Sequence, residues 1–421
     1  MIAGREELME IIDLWGYSEE AQRKILAVLE SEIPPPPHLF RYYGPEDGRG
    51  KVWQAERLFE ETIGTRYALA VNSGTSALMA AIAAAGIGPG DEVIVPGYTF
   101  FASASVVVAS RAIPVIADIN DSLNLDPEDV RRRLTPQTKA VIVVHMQGMP
   151  ADMDEIMAIA RERDLLVIED VAQACGGSYA GKKLGTIGDL GCFSFDFYKI
   201  AQSGEGGFVA TDDEFLNMRA QSWHDTAACW RPDRYAAERR EGELFCGENY
   251  RMSEMSGAVA LAQIRKLEGH ISRLQAAKRR VRERIIEHDG FSLRRQPDPA
   301  GDASTALVMF GPSPEGALAI MAAMRERGVG AGGRFDQTVR DWHVYNFWEH
   351  ILEQKTVTEE GCPFTCPYYE GTLPEYGPEM CPRTLDLLGR SIHLGVAEDW
   401  TDEDAERIAE AINGAVAEVL G

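Results

Sequence analysis

An α/β architecture is predicted: a three-layer α/β/α body on a mostly parallel sheet, followed by a smaller α+β C-terminal part. Three observations carry this. Between about residues 52 and 211, short runs that are apolar throughout alternate with helical stretches; strands of that kind are buried on both faces, as in parallel sheets covered by helices. From Met252 to His288 the pattern becomes long and helical, with Leu, Ile and Val at steps of three and four, and reads as a connecting helix. The whole chain has 421 residues, too many for one ordinary domain. The expected division is an arm over 1–50, a large domain over 51–265 and a small domain over 266–421.

Residues 5–32 carry apolar residues at helical spacing and read as a helix. Pro34 to Pro37 stop it, because consecutive prolines cannot continue a helix and favour an extended rod. Val52 to Ile63 reads as a helix, Tyr67 to Val71 as a strand, and Ala77 to Ala85 as an alanine-rich helix after the turn Asn72–Ser76. Gly86 to Asp91 breaks that helix. Strands are expected over Glu92–Pro96, Val115–Ala117, Lys139–His145, Leu165–Glu169, Cys192–Phe197 and Gly207–Thr211, with a helix over Asp152–Arg163. Residues 334–383 are rich in aromatics, Pro and Cys and show no assignable pattern. A final helix is expected over Asp402–Leu420, with Thr401 as its N-cap and Glu403 and Asp404 in its first turn.

Lys+Arg total 42 and Asp+Glu 66, a net charge of −24. A nucleic-acid backbone or an anionic membrane surface would be repelled. No stretch approaches the ~20 apolar residues a membrane helix needs, and the start lacks a basic-then-apolar signal. The seven cysteines have no disulfide-framework spacing. Cys362 and Cys366 form a C-x3-C pair without a second ligand pair nearby, so no metal is expected. These features favour reduced thiols and a cytoplasmic location.

Three motifs carry chemistry. Asn72-Ser73-Gly74-Thr75-Ser76 lies between a strand and a helix. Small residues at a helix N-terminus turn backbone N–H groups outward and make an anion site. The same residues also serve as a plain capped turn, and they lack the Gly-Lys-Ser/Thr ending of a Walker loop. In Val167-Ile168-Glu169-Asp170-Val171-Ala172-Gln173, an apolar strand delivers two carboxylates at its C-terminal end, where ligands bind in open α/β sheets. An Asp buried there needs a cationic partner; a helix cap is the other reading. In Cys192-Phe193-Ser194-Phe195-Asp196-Phe197-Tyr198-Lys199, a lysine ends an aromatic run before a Gly-rich turn. Desolvation would disfavour its charged form and suit Schiff-base chemistry; alone, it also reads as a surface lysine. Together, a phosphate cradle, a carboxylate for a ring nitrogen and an activated lysine are what pyridoxal 5′-phosphate requires.

These stretches bring the chain to a family. It resembles the DegT/DnrJ/EryC1/StrS group of pyridoxal-phosphate-dependent sugar and cyclitol aminotransferases, which have the fold type I, aspartate aminotransferase-like architecture. The resemblance rests on Ala70–Leu78, Gly88–Pro96 with Tyr98-Thr99-Phe100, Glu169-Asp170 with Ala172-Gln173-Ala174, Gly188 through Lys199, Gly204–Gly207 and Asn249–Glu254. Cys381–Leu388 is similar to the branch acting on ketocyclitols and amino-shikimate-type precursors.

The resemblance implies roles. Lys199 would bind the cofactor through its amine and shuttle the proton, and Asp170 would pair with the ring nitrogen. Gln173 would lie near the ring, Gly74, Thr75 and Ser194 would hold the phosphate, and Phe100 would stack on the ring. Asn249 would reach the phosphate of a neighbouring subunit's cofactor, making an obligate homodimer with shared sites. Phe100 also reads as a core aromatic and Asn249 as a helix cap. The implied reaction moves an amino group from L-glutamate or L-glutamine to a keto-sugar, nucleotide-keto-sugar or ketocyclitol, through pyridoxamine 5′-phosphate, in secondary-metabolite or cell-envelope sugar biosynthesis.

Tyr198 stands where the family often has Asn or another small polar residue. Glu169 reads as a strand-end residue that is structural or stands behind the site, His145 as a core or strand-end histidine rather than a catalytic one, and His224-Asp225 as either structural or substrate-facing. Relatives that dehydrate keto-deoxysugars carry His at the lysine position, so Lys199 argues against that alternative. A non-catalytic, cofactor-binding regulatory protein is the other alternative. A nucleotide-binding oxidoreductase is disfavoured because no G-x-G-x-x-G follows the first strand.

Overall fold

The computed structural model describes residues 4–31, 37, 39–40, 50–230, 236–333 and 339–421. In chain order the strands are β1 (Tyr67–Val71), β2 (Glu92–Pro96), β3 (Ile113–Ala117), β4 (Thr138–Val144), β5 (Leu166–Asp170), the short β6 (Ser178–Tyr179) and β7 (Lys182–Lys183), β8 (Leu190–Ser194), β9 (Gly207–Thr211), β10 (Ser292–Leu293), β11 (Ala306–Phe310) and β12 (Ser391–Gly395). The helices are α1 (Arg5–Asp13), α2 (Glu19–Glu30), α3 (Lys51–Ile63), α4 (Gly74–Ala84), α5 (Ala102–Ala109), α6 (Pro127–Arg133), α7 (Met153–Arg163), α8 (Glu214–His224), α9 (Glu254–Ile264), α10 (Leu267–Arg282), α11 (Pro314–Glu326), α12 (Glu349–Leu352), α13 (Pro382–Gly389) and α14 (Asp402–Leu420).

Seven strands form the main sheet in the order β1-β9-β8-β5-β4-β2-β3. All neighbours from β8 to β3 pair parallel, and β9 runs antiparallel to both β8 and β1. Side chains alternate between two cores. Leu69, Val71, Val93, Val95, Ile142 and Val144 enter one apolar cluster. Ala68 and Ala70 enter a second, and Ile94, Val141 and Val143 a third, on the opposite face. Period-two alternation with both sets apolar explains why these strands read as unbroken hydrophobic runs. The α/β class with helices on both faces follows, as expected.

A second sheet, β10-β11-β12, is antiparallel. Leu307, Met309, Ile392 and Leu394 pack there with Ile320 of α11 and with Ile408 and Ile412 of α14. α10 spans the two bodies: Leu267 and Ile271 join a cluster of the main sheet, and Val281 joins that of the small one. The expected single helix over Met252–His288 is thus two, divided where Lys266 N–H bonds Gln263 O, three residues back, in a tighter turn. Thr401 caps α14 as expected: its Oγ1 accepts from Asp404 N–H, and the Asp404 carboxylate accepts from Thr401 N–H.

The N-terminal helix expected over 5–32 is also two. Gly16 adopts φ +68°, a left-handed conformation open to glycine, and Ser18 caps α2 through Ala21 N–H. Neither helix buries a residue. Most of the expected proline rod lies outside the described residues. Among the described residues no helix is long and apolar enough to cross a membrane.

Residues 342–388, which take in most of the stretch 334–383 that was patternless in the sequence, do not join the small sheet. Val344, Tyr345, Trp348, Ile351, Cys381, Leu387 and Leu388 complete the core on one face of the main sheet. Two sets of bonds tie this stretch down. Tyr98 bridges Val344, with Thr99 N–H bonded to His343 O (2.9 Å) and Tyr345 N–H to Gly97 O (3.0 Å). Asp118 Oδ1 accepts from both the backbone and the hydroxyl of Thr384. The Cys381–Leu388 motif therefore acts here as an anchor for α13.

Candidate active site

The C-terminal ends of β1, β2, β4, β5 and β8 meet at one edge of the main sheet and border a cavity of about 690 Å³. At its β1 end, Ser73 is extended and its Oγ accepts the Ser76 N–H at 3.0 Å, which starts α4 at Gly74. The expected start was Ala77, so the helix is one turn longer. The N–H groups of Gly74 and Thr75 are thereby in the first turn, where intrahelical acceptors are missing. Neither finds an acceptor among the described residues. A Cβ on Gly74 would lie 2.6 Å from Ser194 Cβ, so only glycine lets the helix approach the end of β8 this closely.

Asp170 ends β5 in full burial. Its Oδ2 accepts from Ser103 Oγ (2.8 Å) and its Oδ1 from Ala172 N–H (3.1 Å). Burial pushes its carboxyl above the ordinary range; the two hydrogen bonds and the charge of Lys199 offset this only in part. No cation lies within ion-pair distance of Asp170 among the described residues. Lys199 follows β8 in a turn made by Asp196, whose carbonyl accepts Lys199 N–H (3.0 Å) and whose Oδ1 accepts Tyr198 N–H (3.1 Å). That turn shortens the strand expected over Cys192–Phe197. Phe193 and Phe195 anchor it in the core: Phe59 lies 4.9 Å from Phe193 and 5.8 Å from Phe195 between ring centroids. Lys199 is half-buried and lines the cavity.

Gln173 also lines the cavity, and its Oε1 accepts the Gln147 N–H at 3.0 Å. Phe100 is 48% exposed at the rim, tilted against His343 at 5.5 Å. The cavity thus unites Gly74, Thr75, Phe100, Asp170, Gln173, Ser194 and Lys199. Asn249 stays outside it: the residue is exposed, bridges Asp225 and accepts the Arg251 N–H at 3.3 Å.

Two residues that the sequence reading missed are Ser103 and His343. Ser103 is four residues after Thr99, and the hydroxyls meet at 2.8 Å; asking what holds Asp170 would have pointed to it. His343 comes from the patternless stretch and had no spacing signal. The remaining candidates are structural. His145 and Glu169 are fully buried and bonded at 3.0 Å. His145 Nδ1 accepts from Ala151 N–H, so Nε2 carries the proton and donates to Glu169. Glu169 also accepts from the N–H groups of Gly185, Ile187 and Gly188. Burial pushes its carboxyl up, but His145 and these donors outweigh burial and hold it below the ordinary value. His224 and Asp225 are buried, and Asp225 pairs with Arg251. Among the described residues no group of three or more His, Cys, Asp or Glu side chains is placed to hold a metal.

Known proteins resemble this chain. It is 42% identical over 242 residues to a GDP-perosamine synthase of Caulobacter vibrioides, covering 56% of this chain and 60% of that one. It is 36% identical over 271 residues to an L-glutamine:2-deoxy-scyllo-inosose aminotransferase of Micromonospora echinospora, covering 61% and 63%. The match thus spans less than two thirds of either curated relative. An aminotransferase from Psychrobacter cryohalolentis superposes with a TM-score of 0.73 at 28% identity, over 96% of this chain and 98% of that one. A 3-amino-5-hydroxybenzoic acid synthase also gives 0.73, at 27% identity over 96% and 97%. The family model itself matches residues 49–363, well over half of the sequence, so the chain belongs to the DegT/DnrJ/EryC1/StrS aminotransferase family.

Proposed function

We propose that this protein is a pyridoxal-phosphate-dependent aminotransferase that moves an amino group from L-glutamate or L-glutamine to a ketone on a sugar, nucleotide-sugar or cyclitol. One observation carries the reading: Lys199, Asp170 and the Gly74–Thr75–Ser194 cradle border a single cavity. The relatives named above act on such compounds by their names, which supports the substrate class.

The residues fit pyridoxal 5′-phosphate. The two unpaired N–H groups of α4 and the Ser194 hydroxyl suit a phosphate at a helix N-terminus. Asp170, buried without a cation, suits a protonated ring nitrogen. When bound, the cofactor supplies an electron sink that lets a C–H bond beside nitrogen break heterolytically. Ser103 and Ala172 orient Asp170 and keep its oxygens as acceptors. Lys199 Nζ would take the proton from the donor carbon, hold it, and give it to the carbon on the other side of the transferred nitrogen, working from one face. Gln173, held by Gln147 N–H, fixes the side of the cavity beside the ring. Phe100 closes the face toward solvent.

The dehydratase alternative is not favoured, since Lys199 stands where those relatives have His. In our reading two copies share their sites in a cytoplasmic homodimer. Supporting this, Phe197 (64% exposed) and Tyr198 (88% exposed) lie bare beside Lys199, and Asn249 is exposed and does not line its own cavity. The division into 1–50, 51–265 and 266–421 remains part of this proposal, with 342–388 crossing back onto the main sheet.

The test is an absorption spectrum before and after adding L-glutamine or L-glutamate. A band near ~420 nm that moves to ~330 nm shows cofactor-centred amino transfer through a lysine. No band, even after adding pyridoxal phosphate, would put the non-catalytic reading first.

A further inference from the structure

Beyond the cofactor-facing residues, one titratable side chain borders the cavity from the stretch that the sequence could not assign. His343 comes from residues 334–383, yet its backbone is stitched to the end of β2 by Thr99 N–H to His343 O and Tyr345 N–H to Gly97 O. Its ring is orientated twice over. Asp341 Oδ1 accepts from both the backbone N–H of His343 (3.0 Å) and its ring Nδ1 (2.9 Å). A carboxylate only accepts, so Nδ1 carries a proton. The ring also leans on Phe100, 5.5 Å between centroids. Nε2 on the far edge has no hydrogen-bond partner among the described residues, although the ring lines the cavity.

An imidazole set by a carboxylate, with its second nitrogen unpartnered in a ligand cavity, is a positioned hydrogen-bonding group. Lys199 and Asp170 line the same cavity, and the reading above already engages them. Glu205 also borders the cavity with its carboxylate exposed. A carboxylate and an imidazole lining one cavity suit neutral hydroxyl groups: Glu205 would accept from them, and His343 Nε2 would accept or donate. We propose that His343, positioned by Asp341, binds a ring hydroxyl of a polyhydroxylated ketone and so determines acceptor specificity. This rests on the aminotransferase reading and adds a residue and a substrate feature to it.

The experiment separates the two half-reactions in the cofactor-loaded protein by absorption. In the first, L-glutamine or L-glutamate gives up its amine. In the second, the aminated protein meets 2-deoxy-scyllo-inosose. For His343→Gln the first half-reaction should stay within about threefold of wild type, while kcat/KM of the second falls about 10- to 100-fold, the cost of leaving a substrate hydroxyl unpaired. Asp341→Asn, which leaves the ring in place but no longer fixes it, should lose about 3- to 10-fold in the second step alone. A readout without turnover uses diethyl pyrocarbonate: saturating myo-inositol should slow modification of His343 at least about threefold while leaving the exposed His350 unchanged.

The proposal is overturned if His343→Gln passes its amine to the ketone as fast as wild type, or if both half-reactions fall together. It is also overturned if the polyol leaves His343 unprotected, or if the aminated wild type accepts no polyhydroxylated ketone. Absence of the first half-reaction in wild type would instead sink the aminotransferase reading itself.

Discussion

Ser103 Oγ donates to Asp170 Oδ2 at 2.8 Å, and both side chains are sealed from water. Among the described residues the serine is one of two groups donating to a carboxylate whose burial raises its affinity for a proton. Removing it by Ser103→Ala leaves Oδ2 unsatisfied. We expect a stability loss of about 1–2 kcal/mol in thermal unfolding. Cofactor affinity, followed by fluorescence titration, should weaken as the carboxylate becomes easier to protonate.

Asp170→Asn has effects of opposite sign on two measurements. The folded Asp170 binds its proton more tightly than the unfolded one, whose ordinary value is 3.8. More protons are bound in the native than in the unfolded state, so this group makes cofactor-free protein less stable as pH rises from about 4 through the raised value. At pH 7 the cofactor-free Asn variant should therefore match or exceed wild type in melting temperature. On the proposed function its retention of pyridoxal phosphate on dialysis should nevertheless fall at least about tenfold, because the ring nitrogen would lose its charged partner.

Lys199→Ala should abolish the long-wavelength cofactor band near ~420 nm and all turnover. Since Lys199 is half-buried and, among the described residues, held by hydrogen bonding only at its backbone N–H, by Asp196, the fold should survive with an unchanged far-ultraviolet circular dichroism spectrum.

Glu169→Gln places an amide NH₂ where every neighbour is a donor. One carboxylate oxygen serves His145 and Gly185 N–H, and the other serves Ile187 and Gly188 N–H. We expect a loss of about 2–4 kcal/mol at pH 7. Glu169 is held below its ordinary value of 4.5, so its contribution is present above that pH and disappears as pH falls through the lower folded value. The gap between variant and wild type should narrow in urea titrations below pH 4.5.

Alkylation reports the thiols. Cys229 and Cys246 are exposed and should react with iodoacetamide at pH 8 within minutes. Cys175 is buried, its thiol pushed up to about 12, and should remain unmodified in the folded protein by mass spectrometry.

What the sequence revealed follows from how each feature is encoded. The strands β1 to β5, β8 and β9 were legible because each is short and apolar on both faces; Tyr67–Val71, Glu92–Pro96 and Gly207–Thr211 run over the residues expected, whereas the two-residue β6 and β7 have no apolar run to mark them. Lys199, Asp170 and Gly74 stood out because each is the wrong residue for a plain core beside a strand end. Other features depend on contacts between distant segments, which no local period reports. Ser103 looks like any helical serine until Asp170 is placed 67 residues away in sequence. His343 depends on pairing with Gly97–Thr99; the split of the first helix is local instead, set by Gly16 at a positive φ inside a run whose apolar spacing continues past it.

Residues 346–381 are moored at both ends, by the His343–Tyr345 bonds to β2 and the Thr384 bonds to Asp118, and also along their length, by Trp348 and Ile351 in the core and by the Tyr376 hydroxyl donating to Pro114 O. A span held in this way is a buttress rather than a loop. Its hold on β2 and β3 reaches the cavity only through the neighbouring His343, since none of its own residues borders the cavity.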